Sequence, residues 1–295
     1  MYNFLTDSVP VITIQNMKIQ LLLLLLCLPT FAHAEAQFEH TCFDLNITTG
    51  RYCIDKQVNS KSHDLIYTMH PKGSNAEYWQ NGKLGNGIKS IWLQKKHDAP
   101  TVVTISFGKI WLLTNKNSRD ISGLLDTFVN FVMPEVERKI GIKNPNRILL
   151  AESMGGFSAA ELIMAHPELF SRAAMICPAL STVSPYESIF TYYSFYKNTP
   201  VTIKKLFEIF FISRKYFSSL EEWKVGSPLS LADKKLGPST PPLYISVGDQ
   251  DEYGFYDGAN AFALIAKNKK VSAVVWHPLK GGHCVYDLPS IANFL

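Results

Sequence analysis

The sequence is poor in cysteine and in charged side chains. It has five cysteines in 295 residues, too few for a disulfide-dense scaffold, and their positions lack the spacing of a zinc site. Charged residues make up 18% of the chain and apolar residues 46%, which excludes intrinsic disorder and supplies a large core. No basic block is present either. The net charge of +4 is spread along the chain, so nucleic acid is not expected as a partner.

Long apolar runs are also scarce, and the one that stands out lies near the N-terminus. Met17 and Lys18 precede the apolar run 19–28, which Gln20 interrupts, and the small-x-small triplet Ala-His-Ala follows at 32–34. This order is typical of a secretory signal peptide, whereas a membrane span needs about 20 apolar residues. We therefore expect a signal peptide over residues 1–34 with translation starting at Met17, a mature chain beginning near Glu35, and secretion or periplasmic export.

Four cysteines remain after the expected cleavage, an even number in an oxidising compartment. Cys42 and Cys53 flank a turn-forming stretch at 46–50, a pattern that predicts a β-hairpin bridged by a disulfide. For Cys177 and Cys284 two states stay open, a second disulfide or two buried thiols.

Residues 35–295 contain no repeat and no low-complexity linker, so one domain is expected. After a β-rich start, short β-branched segments alternate with segments of three- and four-residue apolar spacing, which predicts alternating strands and helices. The predicted strands are 64–69, 89–94, 101–106, 147–151, 173–177, 243–247 and 271–276, and the predicted helices are 120–140, 155–165 and 256–267. Such alternation gives a mostly parallel, twisted sheet with helices on both faces, and ligands bind at the carboxyl ends of its strands.

An insert at about 180–240 interrupts the alternation. It carries 12 aromatic residues between Tyr186 and Trp223, more than a β-α-β connection requires. Two interpretations remain open: additional core from helices packed on the sheet, or a helical cap that presents apolar surface to a substrate.

The strongest local motif surrounds Ser153. An apolar strand leads through Ala-Glu-Ser-Met-Gly-Gly, residues 151–156, into a helix rich in small residues. A serine at such a turn projects from the carboxyl edge of the sheet, and small neighbours let the strand and helix approach closely. The motif resembles the nucleophile elbow of α/β-hydrolases and is similar to the esterase D branch, although Ala151 stands where the G-x-S-x-G pattern has glycine. The resemblance implies an α/β-hydrolase fold with Ser153 as nucleophile.

Two further motifs follow in the α/β-hydrolase order of serine, acid and histidine. The strand at 243–247 is followed by Gly-x-x-Asp, which resembles the acid loop of the family and implies Asp251 as the acid, with Asp249 as the alternative. Gly281-Gly282-His283 resembles the catalytic-histidine loop and implies His283 as the base, and His277 is the weaker candidate. Histidine so placed would move the serine proton, and the carboxylate would hold its tautomer.

The oxyanion hole requires two N–H donors. The resemblance implies the backbone of Met154 for one of them, because it follows the nucleophile. For the second donor we expect Gly108 or Lys109, in the loop after the strand at 101–106.

These motifs predict an exported serine hydrolase that cleaves carboxylic esters through an acyl-enzyme. The expected substrate is a small-molecule or lipid-like ester. The histidines lack ligand spacing and no glycine-rich phosphate loop occurs, so neither a metal nor another cofactor is expected. Two alternatives stay open: an acyltransferase acting on a sugar or lipid acceptor, and a catalytically inactive binding protein.

Overall fold

An eight-stranded sheet runs through the computed structural model, which describes residues 38–46, 49–114 and 124–295. Its strand order is β1-β2-β4-β3-β5-β6-β7-β8, with antiparallel pairing from β1 to β2 and from β2 to β4 and parallel pairing elsewhere. The strands are β1 (Phe38–Asp44), β2 (Arg51–Gln57), β3 (Asp64–Met69), β4 (Thr101–Ser106), β5 (Asn146–Glu152), β6 (Arg172–Ile176), β7 (Leu243–Gly248) and β8 (Val274–Leu279). The mostly parallel sheet expected from the sequence is confirmed.

Helices fill most of the connections between the parallel strands. In chain order they are α1 (Tyr78–Asn81), α2 (Lys83–Gln94), α3 (Leu124–Thr127), α4 (Met133–Ile140), α5 (Met154–Ala165), α6 (Ile189–Asn198), α7 (Ile203–Tyr216), α8 (Leu220–Gly226), α9 (Pro228–Lys235), α10 (Tyr256–Asn268) and α11 (Leu288–Phe294). Every residue of β4 and β7 is buried, which requires packing partners on both faces of the sheet. The described part of the chain contains no helix with the length and apolar character of a membrane span.

The predicted hairpin and its disulfide are both found. β1 and β2 pair in a register that places Cys42 opposite Cys53, and the two sulfur atoms are bonded. The expected signal peptide at 1–34 lies outside the described residues, as does Ile121 of the predicted helix 120–140. The described part of that helix comprises α3 and α4 with a π-helical turn, Phe128–Val132, between them. It ends at Gly141, whose φ of 77° suits glycine.

The strand predicted at 89–94 is wrong, because these residues form the second half of α2. Leu84, Ile88 and Trp92 recur every four residues and are buried, which is the periodicity of one helix face. Gly85 lies in a stretch whose composition resembles a turn, but in the fold it serves close packing. A Cβ there would lie 2.0 Å from the Trp79 carbonyl oxygen.

The last strand is displaced from its predicted position. It is expected at 271–276 and found at Val274–Leu279, so that His277 lies within the strand rather than at its end. The Nε2 atom of His277 is 2.9 Å from a carboxylate oxygen of Asp287, at the start of α11. This placement separates His277 from the motif around Ser153.

Candidate active site

Ser153 occupies the sharp turn between β5 and α5. Its φ of 52° and ψ of −111° lie in a region that non-glycine residues rarely adopt. The turn needs a small residue on each side. Ala151 is buried between Met69 of β3 and Met175 of β6, and a Cβ on Gly155 would lie 2.2 Å from the Met69 carbonyl oxygen. Close contact with β3 therefore explains the small side chains of the elbow, and alanine fits where the family pattern has glycine.

His283 lies in the loop after β8, where its imidazole reaches Ser153. The Nε2 atom is 2.8 Å from the Ser153 Oγ, and Nδ1 is 2.7 Å from a carboxylate oxygen of Asp251. A carboxylate only accepts hydrogen bonds, so Nδ1–H donates to Asp251 and Nε2 is left to accept from the serine hydroxyl. The structure thus brings together the three residues that the sequence motifs singled out.

Asp251 and its neighbour Asp249 have different surroundings. Asp251 is fully buried, and its second carboxylate oxygen accepts the backbone N–H of Tyr253 at 2.8 Å. Asp249 is exposed and accepts the backbone N–H of Gly281 at 3.0 Å, so it braces the histidine loop without contacting the ring. The lack of a side chain at Gly248 lets the acid loop and the histidine loop lie close together, because a Cβ there would lie 2.1 Å from the Gly282 carbonyl oxygen.

Glu252 holds the backbone of the histidine, a contact that sequence reasoning missed. Its carboxylate accepts the His283 backbone N–H at 2.8 Å. Partial burial raises the pKa of Glu252 and the hydrogen bond from His283 lowers it, with a net shift downward. The rings of Tyr253 and Phe255 lie 4.5 Å and 5.8 Å from the imidazole, measured between ring centroids. The acid loop therefore supports both the backbone and the ring of His283.

Glu152, directly before Ser153, carries a buried carboxylate that the sequence analysis also did not single out. One oxygen of Glu152 accepts hydrogen bonds from the hydroxyl groups of Tyr78 and Tyr286, the latter at 3.0 Å. Burial raises the pKa of Glu152, and the hydrogen bonds from Tyr78 and Tyr286 oppose that shift. The two tyrosines come from α1 and from the loop before α11, and no local pattern could have linked them to Glu152.

The loop that carries Gly108 and Lys109 does not line the cavity beside Ser153. Gly108 borders a separate surface cavity with Thr49 and Gly50, and the Lys109 carbonyl accepts the backbone N–H of Gly73. Strand order explains the displacement. β3 lies between β4 and β5, so the loop after β3 is the one that reaches the serine. Gly108 and Lys109 therefore lie outside the set of residues that line the cavity beside Ser153, and their expected role as second oxyanion donor stays a prediction.

The cavity beside Ser153 has a volume of about 240 Å³ and mostly apolar walls. Ser153, His283 and Glu152 form part of its polar surface. Its main apolar side chains are Leu112, Met154, Phe157, Ile209, Ile212, Phe217 and Trp223. Four of these seven come from the region between β6 and β7, so the aromatic insert contributes directly to this cavity.

A second disulfide joins Cys177 to Cys284, and it settles the choice between a bridge and two thiols. Cys284 directly follows His283, and Cys177 directly follows β6. Among the residues that the structure describes, two groups have the composition of metal ligands, one of Cys42, Cys53 and His40 and the other of Cys177, Cys284 and His283. In both groups the sulfur atoms are disulfide-bonded, and a disulfide offers no thiolate to a metal.

Removal of the Cys177–Cys284 bridge should affect stability and turnover together. The bridge closes a separation of 107 residues, so the double serine variant should lose about 2–5 kcal/mol of unfolding free energy. Turnover should fall by about tenfold to a hundredfold, because the histidine loop loses its covalent link to the sheet and keeps only its hydrogen bonds to Asp249 and Glu252. Denaturant unfolding and ester kinetics measure both effects.

The Cys42→Ser/Cys53→Ser variant is the control. Its bridge closes a separation of 11 residues between β1 and β2, which β4 and β3 separate from β5 in the sheet, and this variant should keep full turnover.

Sequence comparison places these residues in a known family. A protein-family model described as "Putative esterase" matches residues 111–291, more than half of the chain, and the match includes Ser153, Asp251 and His283. The chain belongs to this esterase family. It is accordingly an ester hydrolase. No curated protein matches the sequence.

Solved structures of esterases share the fold. A ferulic acid esterase is 15% identical with a TM-score of 0.60, over 88% of this chain and 94% of its own. The esterase Est22 is 16% identical with a TM-score of 0.61, over 88% and 79%. A thermostable esterase from Pseudomonas putida ECU1011 is 14% identical with a TM-score of 0.59, over 88% and 80%. At these identities the likeness concerns the fold, which is that of the α/β-hydrolases.

Proposed function

We propose that this esterase is an exported serine hydrolase that cleaves carboxylic esters through an acyl-enzyme on Ser153. The observation that carries the proposal is the continuous set of hydrogen bonds from the Ser153 Oγ through His283 to the buried Asp251. A hydroxyl bonded to an imidazole, itself held by a carboxylate, is the arrangement that makes serine a nucleophile near neutral pH.

The reaction follows from the roles of these three groups. The Ser153 Oγ attacks the ester carbonyl carbon while the His283 Nε2 takes the serine proton, and the imidazolium is stabilised by Asp251. The tetrahedral intermediate collapses as the same proton passes to the departing alcohol oxygen, which leaves an acyl group on Ser153. Water then attacks the acyl carbon, gives its proton to His283, and the carboxylic acid leaves as the proton returns to the Ser153 Oγ.

The oxyanion of both tetrahedral intermediates requires backbone donors at the cavity. We assign this role to the N–H groups of Met154 and Lys72, because both residues line the cavity beside Ser153. Among the residues that the structure describes, neither of these N–H groups has an acceptor in the protein. Pro71, between β3 and Lys72, has no N–H to offer.

Substitution of Lys72 tests this assignment. Lys72→Pro removes the N–H and should lower turnover by about 100- to 1000-fold, the usual effect of losing one oxyanion donor. Lys72→Ala keeps the N–H while it loses the side-chain ion pair with Glu208, so it should retain turnover within a few-fold. Ester kinetics on both variants, with circular dichroism as a check on folding, give the comparison. Equal turnover in two folded variants would remove Lys72 from the oxyanion hole.

The segment between β6 and β7 is proposed to act as a cap on a single domain spanning 35–295. Its helices α7 and α8 contribute Ile209, Ile212 and Trp223 to the apolar wall of the cavity. An apolar wall in the cavity beside the nucleophile suits the acyl or alcohol part of an ester, so a small-molecule or lipid-like ester is the proposed substrate.

Export is proposed from the signal peptide expected at 1–34 and is supported by the two disulfides, which persist in oxidising compartments. Processing near Glu35 can be read from the N-terminal sequence of the protein recovered from the cell envelope or medium.

A panel of p-nitrophenyl esters graded by acyl length tests the proposed function. The purified protein should release p-nitrophenol and the free acid, and the apolar cavity predicts better turnover of longer chains. Product analysis in the presence of an alcohol acceptor separates hydrolysis from acyl transfer. Absence of turnover with every ester would contradict a hydrolase and favour the inactive binding protein.

A further inference from the structure

Helices α6 and α7 expose an unusual number of large apolar side chains. Phe190, Phe211 and Tyr193 have exposed fractions of 81%, 68% and 61%. Of the twelve large apolar residues that are exposed in the described part of the chain, seven lie on these two helices: Ile189, Phe190, Tyr193, Tyr196, Ile203, Phe207 and Phe211. Monomeric soluble proteins rarely expose apolar side chains at this density without a partner.

Other residues pack the two helices against each other. Phe195 of α6 and Leu206 of α7 share a small buried cluster, and the rings of Tyr192 and Phe210 lie 4.3 Å apart. A third set of residues on α7, including Ile209, lines the cavity beside Ser153. One helix therefore presents apolar residues to the outside and to the catalytic cavity.

The same two helices carry an excess of positive charge. Between residues 189 and 216 there are five basic side chains and one acidic one. The basic residues are Lys197, Lys204, Lys205, Arg214 and Lys215. The acidic residue, Glu208, is neutralised by ion pairs with Lys72 and Lys205. Exposed aromatic residues beside unneutralised lysines are the composition of helices that lie in an anionic lipid interface.

We propose that the outer face of α6 and α7, defined by the seven exposed apolar residues, docks on an anionic lipid surface and supplies esters from that surface to the cavity. The inference rests on the proposed function, since it names the physical state of the substrate. The excess of positive charge on the two helices favours an anionic lipid surface over a neutral bilayer. Ile209 and Ile212 of α7 line the cavity beside Ser153, so the docking face lies next to that cavity.

Vesicle co-sedimentation of the purified full-length protein tests the docking surface. The protein should bind phosphatidylcholine–phosphatidylglycerol vesicles and bind pure phosphatidylcholine vesicles much more weakly. Phe207→Ser/Phe211→Ser should weaken binding by about tenfold per phenylalanine, because each ring leaves the interface. Lys204→Glu/Lys215→Glu should weaken it by about fivefold or more per charge removed, and only for the anionic vesicles.

The matched control is Phe131→Ser/Leu264→Ser. Both residues are half exposed, at 50% and 51%, but lie outside α6 and α7, and their replacement should leave vesicle binding unchanged. Turnover of p-nitrophenyl acetate without vesicles should be equal in all of these variants. This measurement separates a failure of docking from a failure of the proposed function, which would abolish turnover of the soluble ester in the parent protein.

Three outcomes would overturn the docking proposal. Equal binding to neutral and anionic vesicles would remove the role of charge. Binding that survives both the phenylalanine and the lysine substitutions would place the lipid contact elsewhere, such as the apolar run 19–28. Self-association in lipid-free solution that Phe207→Ser/Phe211→Ser abolishes, with no vesicle binding by the parent protein, would assign the surface to a second copy of the chain.

Discussion

Replacement of Ser153 by alanine should reduce turnover of p-nitrophenyl esters by about a millionfold, to the level that binding and oxyanion stabilisation alone can support. The effect is large because Ser153 supplies the atom that forms the acyl-enzyme, and no other hydroxyl can take its place at the 2.8 Å contact with His283. Initial rates with a short-chain ester, on the parent and variant proteins at equal concentration, measure the loss.

Ser181→Ala is the matched control for this substitution. Ser181 also lines the cavity and is buried, but its hydroxyl donates to the Val183 carbonyl rather than to the imidazole. Its replacement should change turnover by no more than a few-fold. Both variants should unfold at denaturant concentrations close to that of the parent protein. Full turnover by folded Ser153→Ala would disprove the proposed mechanism.

Asp251→Asn should lower turnover by about ten-thousandfold while the fold persists. The carboxylate of Asp251 fixes Nδ1 of His283 as the protonated nitrogen through a 2.7 Å hydrogen bond, and an amide can instead donate to Nδ1 and stabilise the wrong tautomer. Ester kinetics across a range of pH, with substrate saturation at each pH, isolate the effect on the chemical steps.

Asp249→Asn serves as the control, because it changes a carboxylate of the same loop in the same way. The oxygen of the new side-chain amide can still accept the Gly281 backbone N–H that Asp249 accepts at 3.0 Å. Turnover should therefore stay within tenfold of the parent value, which corresponds to a rise of at most about 1.4 kcal/mol in the activation free energy. If Asp249→Asn were the damaging substitution and Asp251→Asn were mild, the acid would have to be reassigned to the alternative that the sequence left open.

Much of the fold could be predicted because its signals are local. The buried strands of a parallel sheet are short β-branched runs, and β3, β4, β5 and β7 were found close to where such runs occur. The elbow at Ser153 is also local, since the strand, the serine and the small residues follow one another in the chain. The glycines beside Asp251 and His283 carry a similar signal, because backbone contact between the two loops excludes side chains.

The remaining features depend on strand order and on distant contacts. The sequence predicts the second oxyanion donor in the loop after β4, whereas the donor that we propose, Lys72, follows β3. Strand β3 lies next to β5 in the sheet, and the neighbours of a strand in a sheet cannot be read from its neighbours in the chain. The contacts of Glu152 with Tyr78 and Tyr286 span 74 and 134 residues. The helix at Lys83–Gln94 was missed because the glycines at its start resemble turn signals, although they allow close packing against neighbours such as Trp79.

Labelling with a fluorophosphonate probe tests whether Ser153 is an activated nucleophile, because the probe reacts with a serine that an adjacent base has activated. Peptide mass spectrometry after labelling identifies the modified residue. We predict a single phosphonylated residue, Ser153, and no labelling of the Ser153→Ala protein. Absence of labelling in the folded parent protein, or a modified residue other than Ser153, would contradict it.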